Sequence, residues 1–174
     1  FIILAAGKSE RFKKKKNKLS KQFFKVNGVS PLEHLMTSVS NNPLINSITL
    51  VINKDDRQEI EGFKKKYHKL NSVINGGVTR QQSTFIALKS IRKKRVKTKN
   101  DIVLIHDAAR PFLENRIIKS CISQLKKYEG VFPALDMDDT LRNKKNLNPY
   151  DRNIIIGSQT PQAFKFDKIY MAYQ

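Results

Sequence analysis

Short apolar runs alternate with helical patterns along this chain, and that alternation constrains its fold more than any other feature. The strand-like runs are FIILAA (1–6), INSITLVIN (45–53), NSVIN (71–75), DIVLIH (101–106) and GVFPAL (130–135). Between them lie the helical patterns PLEHLMTSV, DRQEIEGFKKKY, TRQQSTFIALKSI and ENRIIKSCISQLKK. Phe85, Ile86, Leu88 and Ile91 recur at helical spacing in the third. Ile117, Ile118, Cys121, Ile122 and Leu125 form one face of the fourth. Strand–helix alternation with short connections predicts an α/β fold: a doubly wound, mostly parallel sheet with helices on both faces. The 174 residues are read as one domain, long enough for a sizeable core.

After Leu135 the alternation breaks. The stretch DMDDTLRNKKNLNPYDRNIII is polar, turn-rich and too long for a plain loop, so a projecting β-arm is expected at about 136–157. The sequence stops inside a helical pattern, and the C-terminal part of the domain is expected to be missing.

The charge is strongly positive, with 34 Lys+Arg against 15 Asp+Glu and a formal net charge of +19. A basic nucleic-acid-binding module is one reading of that balance. The lysines, however, fall in separate clusters at 13–18, 64–69 and 89–99, without the interleaved aromatics of a base-stacking surface. KSIRKKRVKTK reads as a solvated helix end and loop. A basic field around an anionic substrate is the preferred reading, with no nucleic-acid partner. No apolar run is long enough to span a bilayer, so no membrane partner is expected either. The single cysteine, Cys121, excludes an internal disulfide and reads as a core thiol, which suits a reducing cytoplasm.

Ligands of doubly wound sheets sit beyond the carboxyl ends of the strands, so the residues just after each strand carry the functional reading. GKSERF comes after the first, with Arg11 and then Lys21 beyond a lysine-rich loop. GGVTRQQS comes after the third, and DAARP, with Asp107 and Arg110, after DIVLIH. The arm supplies Thr140 and Arg152, and TPQ stands at 160–162. Glycines, cations, hydroxyls and one carboxylate converging from separate segments suit phosphate chemistry: backbone N–H groups cradle oxyanions while Arg and Lys balance developing charge. No zinc spacing, Walker A lysine or GxGxxG is present. His106 reads as a structural residue at a strand end. Arg80 fits either a phosphate contact or a helix's first turn, and His34 and His68 show no partner.

LAAGKSERF, SKQF, GGVTRQQS, HDAARPF, the DT of DMDDT and the DRN…TPQ segment, in this order over essentially the whole chain, resemble the 2-C-methyl-D-erythritol 4-phosphate cytidylyltransferase family. The resemblance implies a Rossmann-like nucleotidyltransferase of non-mevalonate isoprenoid biosynthesis. It would transfer a cytidylyl group from CTP to 2-C-methyl-D-erythritol 4-phosphate and release pyrophosphate. Mg²⁺ is implied as cofactor, bound mainly through the CTP phosphates, with no protein metal ligand assigned. A homodimer is implied too, each arm reaching into the neighbour's site. Ribitol 5-phosphate cytidylyltransferases share HDA-x-RP and TPQ and form the alternative; the second alanine of DAARP leans against them.

By the same resemblance, Arg11, Lys21 and Arg152 are the catalytic candidates. Ala5, Ala6, Gly7, Lys8 and Ser9 would line the triphosphate, and Gly76, Gly77 and Ser83 would hold the cytidine. Asp107 and Ala108 match positions near the ribose and the second substrate. Arg110, Thr140, Arg152 and Thr160 match positions around the polyol phosphate, with Thr140 and Arg152 arriving on the neighbour's arm. Two departures stand out: Ser9 where the family has a second glycine, and Ser20 in place of proline before Lys21. The family's later Asn-x-Lys-Val-Thr pattern has no match in this sequence.

Overall fold

The computed structural model describes residues 1–7, 9, 12, 20–94 and 101–174. Strand β1 (Ile2–Ala5) is apolar throughout because both of its faces are covered. Ile3 and Ala5 enter one core, and Ile2 and Leu4 pack with the other. Parallel partners flank it on both sides: β2 (Ile48–Ile52) and β4 (Ile102–Asp107). Beyond β2 lies β3 (Leu70–Asn75), again parallel. On the far side, β8 (Gln162–Lys165) runs antiparallel to β4, and β5 (Gly130–Val131) runs antiparallel to β8. The order among the described residues is β3-β2-β1-β4-β8-β5. The expected doubly wound, mostly parallel sheet is present, with one antiparallel strand inserted.

Helices cover both faces. Helix α1 (Pro31–Asn41) starts with a complete capping box: the Glu33 N–H donates to Ser30 Oγ at 3.2 Å, and the Ser30 N–H donates to the Glu33 carboxylate at 3.1 Å. Pro31 comes directly after the cap, where its missing N–H costs nothing. Leu32, Leu35, Met36 and Val39 of α1 then join Ile3, Leu50 and Ile52 in one core. Also in that core are Phe63 of α2 (Phe63–Lys66) and Ile118 and Cys121 of α4 (Asn115–Gln124). The opposite core brings Ala87 and Leu88 of α3 (Arg80–Lys94) and Phe166 of α5 (Phe166–Ala172) against Ile2, Val51, Val103 and Ile105. Among the described residues, no helix is long and apolar enough to cross a membrane.

Several local expectations are corrected. DRQEIEGFKKKY is not one helix: a 3-10 turn over Lys54–Ile60 and α2 are separated by Gly62, whose φ of 80° interrupts helical geometry. GVFPAL is not one strand. Pro133 has no N–H to offer a ladder, and the chain leaves the large sheet after Val131. It re-forms as β6 (Ala134–Asp136), paired antiparallel with β7 (Ile156–Ser158). In α3 the inward residues are Ser83, Thr84, Ala87 and Leu88, whereas Ile86 is exposed. The short strand β8, hidden behind TPQ, was not expected at all.

The β6–β7 pair is the base of the arm, and a bridge between Arg142 and Pro149 continues it toward the tip. At the tip, Asn143 Oδ1 accepts the backbone N–H of Lys145 at 2.8 Å, a side-chain turn that tightens the loop. Leu135, Leu147, Tyr150, Ile154 and Ile156 are exposed along this arm.

Leu50 of β2 is fully buried in the larger core. Leu50→Ala is expected to lower unfolding stability by about 2–5 kcal/mol through lost transfer energy and a residual cavity, read by urea denaturation.

Candidate active site

The chain order places a topological switch at β1: β2 and β3 lie to one side, and the chain crosses back through α3 to put β4 on the other. The segments leaving β1 and β4 therefore diverge and leave a cavity of ≈ 530 Å³ between them. Its walls include Ala5, Ala6 and Gly7 after β1, Gly77 and Arg80 at the start of α3, and Asp107, Ala108 and Arg110 after β4. Lys21, Gln22, Asn53 and Ser83 also contribute.

The first wall is held by side chains. Gln22 is buried, and its Nε2 donates to the Ala5 carbonyl at 2.6 Å. Ser9 Oγ donates to Gln22 Oε1 at 3.3 Å and accepts the Lys21 N–H at 3.2 Å. The backbone under Lys21 is thus tied to the turn leaving β1. Ser9 has φ 52°, left-handed geometry that a glycine adopts without a Cβ penalty. Serine at this position is therefore a strained substitute whose hydroxyl gains two contacts in exchange. Ser20, the other departure, is buried and donates to the Asp56 carboxylate at 3.3 Å.

The second wall shows why the glycine pair is needed. The Gly76 N–H donates to the Ile52 carbonyl at 2.8 Å, extending the pairing of β3 with β2. A Cβ on Gly76 would sit 2.5 Å from Ala6 Cβ and 2.8 Å from Ser83 Oγ, so only glycine lets this turn approach the first. Ser83 Oγ accepts the Gly77 N–H at 3.1 Å. Thr79 Oγ1 accepts the Gln82 N–H at 3.0 Å, and Gln82 Oε1 accepts the Val78 N–H at 2.9 Å. Together these cap the start of α3 and fix the turn.

The third wall is organised by Asp107. Its carboxylate accepts from Arg80 Nε at 3.2 Å and lies 3.7 Å from Arg110 Nε. Arg80 Nη2 also donates to Gln162 Oε1 at 3.1 Å, and Arg110 Nη1 donates to Gln159 Oε1. Two guanidinium groups are therefore aimed along one cavity edge by one carboxylate and two glutamines. Behind them His106 is 2% exposed. Its Nε2 is 3.0 Å from the Arg110 carbonyl, and its Nδ1 is 2.8 Å from Thr160 Oγ1. Burial pushes its pKa below the ordinary value of 6.5, and the Arg110 and Arg80 charges act in the same direction, against the Arg110 carbonyl and Asp107.

Of the sequence-derived candidates, Ala5, Ala6, Gly7, Lys21, Gly77, Ser83, Asp107, Ala108 and Arg110 line the cavity. Gly76 and Ser9 support its walls, and Thr160 is joined to the Arg110 carbonyl through His106. Lys8 and Arg11 lie outside the described residues. Thr140 and Arg152 sit on the arm and do not line this chain's cavity; Arg152 Nη1 donates instead to the Asp138 carbonyl at 2.9 Å. Arg80, which the sequence left between two readings, is a cavity residue. His34 does have partners: its Nδ1 lies 3.1 Å from the Pro111 carbonyl, and its ring packs on Phe112. Gln22, Asn53, Gln159 and Gln162 were missed. Asn53 is the first residue beyond β2, at the strand end where ligands bind, so its place in the chain was signal enough to find it.

Comparison with known proteins gives a consistent result. The family model of 2-C-methyl-D-erythritol 4-phosphate cytidylyltransferase matches residues 1–174. The chain belongs to this cytidylyltransferase family. A relative from Clostridium acetobutylicum named 2-C-methyl-D-erythritol 4-phosphate cytidylyltransferase is 36% identical over 180 residues, covering 99% of this chain and 74% of the relative. A bifunctional enzyme IspD/IspF from Bartonella henselae is 34% identical over 177 residues, covering 99% of this chain and 43% of that enzyme. The crystal structure of 4-diphosphocytidyl-2C-methyl-D-erythritol synthase from Anaerococcus prevotii matches with a TM-score of 0.78 at 31% identity, over 99% of this chain and 71% of that one. Cytidylyltransferase relatives thus share the fold described above.

Because the folded state holds His106 neutral, its contribution to stability is complete above the ordinary value of 6.5 and is lost as pH falls through the lowered folded value. The melting temperature should therefore drop between pH 7.5 and 5.5, and drop less steeply in His106→Gln. Equal slopes in the two proteins would remove this role.

Proposed function

We propose that this chain transfers the cytidylyl group of CTP to 2-C-methyl-D-erythritol 4-phosphate, giving 4-diphosphocytidyl-2-C-methyl-D-erythritol and pyrophosphate, a step of non-mevalonate isoprenoid biosynthesis. One observation carries the assignment: the family motifs that follow β1, β3 and β4, together with SKQF, meet at one cavity whose glycine turns, hydroxyls and cations suit a nucleoside triphosphate. A phosphate oxygen of the polyol attacks the α-phosphorus, a new P–O bond forms, and the bond to the β-phosphate bridging oxygen breaks. No protein atom needs to become covalently attached, so positioning and charge stabilisation supply the rate.

Lys21, fixed through Ser9 and Gln22, presents its ammonium group to the triphosphate, with Arg11 as its partner by family resemblance. The glycine pair, with Gly76 close against Ala6, would let backbone contact a pyrimidine and exclude a purine sterically. Asp107 and Arg110 face the ribose and the second substrate, with Arg80 beside them. Among the described residues no group of three or more His, Cys, Asp or Glu could hold a metal ion, and the lining carboxylate, Asp107, is already engaged by two arginines. That donor set fits a Mg²⁺ ion that arrives on the CTP phosphates, whose charge it would partly neutralise.

A homodimer belongs to the same proposal. The exposed apolar side chains of the arm, Leu135, Leu147, Tyr150, Ile154 and Ile156, support burial against a second copy. Thr140 and Arg152 would then reach the neighbour's polyol phosphate. A reducing cytoplasm is the proposed compartment, consistent with a free, buried Cys121.

The decisive assay is pyrophosphate release with CTP and Mg²⁺, with 2-C-methyl-D-erythritol 4-phosphate and ribitol 5-phosphate as competing acceptors. Release with the first alone is expected; release with the second alone would replace the substrate, and no release with either would overturn the proposal. Lys21→Ala is expected to lower kcat by about 10²–10³, by analogy with lost oxyanion donors. Mixing inactive Lys21→Ala and Arg152→Ala proteins should restore roughly a quarter of wild-type activity, because half of a random pool of C2 dimers would carry one intact composite site. Failure to recover any activity would refute a shared site.

A further inference from the structure

Thr160 was placed near the polyol phosphate by resemblance, yet the hydrogen bonds around it fix what its hydroxyl can do. The Arg110 carbonyl oxygen only accepts, and it lies 3.0 Å from His106 Nε2, so Nε2 carries a proton. His106 is buried and neutral in the fold, which leaves Nδ1 with a lone pair. Thr160 Oγ1, 2.8 Å away, must then donate its single proton to Nδ1. What remains on Oγ1 is a pair of acceptor sites and no proton. A phosphate dianion likewise offers only acceptors, so the two repel rather than pair.

We propose that His106 is a positioning residue that sets Thr160 as a hydrogen-bond acceptor, and that Thr160 receives a hydroxyl group of the polyol chain instead of donating to its phosphate. This deepens the proposed function and rests on it. The phosphate is left to cations, for which Arg110 is the near candidate: its guanidinium is held by Asp107 and Gln159, and its carbonyl is held by His106. Backbone and side chain of Arg110 are thus both fixed, and the same imidazole that orients Thr160 anchors the turn presenting this arginine. One neutral side chain therefore separates two kinds of recognition. A charge-bearing arginine takes the anion, and a proton-free oxygen takes an O–H donor. A ligand that satisfies the arginine alone, such as inorganic phosphate, has no use for Thr160.

The test combines substitution with a tautomer measurement. In Thr160→Val, KM for 2-C-methyl-D-erythritol 4-phosphate should rise roughly tenfold, the loss expected for one substrate hydrogen bond. KM for CTP and inhibition by inorganic phosphate against the polyol phosphate should stay unchanged, and Thr160→Ser should restore KM. A parallel weakening of inorganic phosphate inhibition in Thr160→Val would overturn the inference, because Thr160 would then be a phosphate donor. Nitrogen-15 NMR of the histidine ring should show His106 as the Nε2–H tautomer, identified by loss of its signal in His106→Gln. An Nδ1–H tautomer would overturn the inference by itself, whatever the kinetics. Absence of turnover by the unsubstituted protein would instead overturn the functional reading, and the hydroxyl contact with it.

Discussion

Every feature of the cavity depends on β1 being paired on both sides. Its parallel ladder to β2 aligns Ala5 with Ile52, and its ladder to β4 aligns Leu4 with Asp107. The Ala108 N–H then donates to the Leu4 carbonyl at 3.0 Å, so the last ladder bond between the two strands already belongs to the site. Beyond this point the chains must part, because one continues toward α1 and the other toward α4 through its own turn. A gap at the carboxyl ends of central strands is thus a consequence of connectivity. The apolar residues of β1, buried in two cores, make that arrangement rigid: each fully buried aliphatic side chain contributes about 1.5–3 kcal/mol.

The charged groups around the gap are held in unequal ways. Asp107, Arg80 and Arg110 form a mutual set with Gln159 and Gln162, which keeps two cations on the cavity edge without burying either. These pairs are partly exposed, so their worth lies in orientation more than in stability. Lys21 has no such carboxylate partner among the described ion pairs; its backbone is fixed instead, leaving its ammonium group available. In the proposed function, a lysine anchored by backbone and arginines anchored by side chain would serve different ends, the one tracking a reacting phosphate and the others holding a bound one.

The tie from the cavity to β8 explains why an antiparallel strand is inserted in an otherwise parallel sheet. Reversing direction lets the residues just before β8, Gln159 and Thr160, come up beside the carboxyl end of β4, next to Arg110 and His106. A parallel strand in that place would bring its own carboxyl end there and supply a different set of groups.

The alternation of apolar runs was enough to read an α/β sheet, because strands covered on both faces need continuous apolar residues and amphipathic helices need a spaced stripe. The glycine pair and Asp107 were legible for a related reason: each stands at or just after the end of a strand, where ligands bind. Local breaks were less legible. Gly62 and Pro133 interrupt patterns that looked continuous, and β8 is too short to carry a periodic signal. By itself, then, the sequence determined the layers of the fold and the chemical types gathered at its carboxyl edge, since burial and backbone geometry act on neighbouring residues. Only the tertiary structure decided that Arg80 faces Asp107, that Gln159 and Gln162 hold the arginines, and that His106 sets the proton on Thr160. Those contacts join residues up to 82 positions apart, and no local pattern encodes a hydrogen bond made by strand pairing.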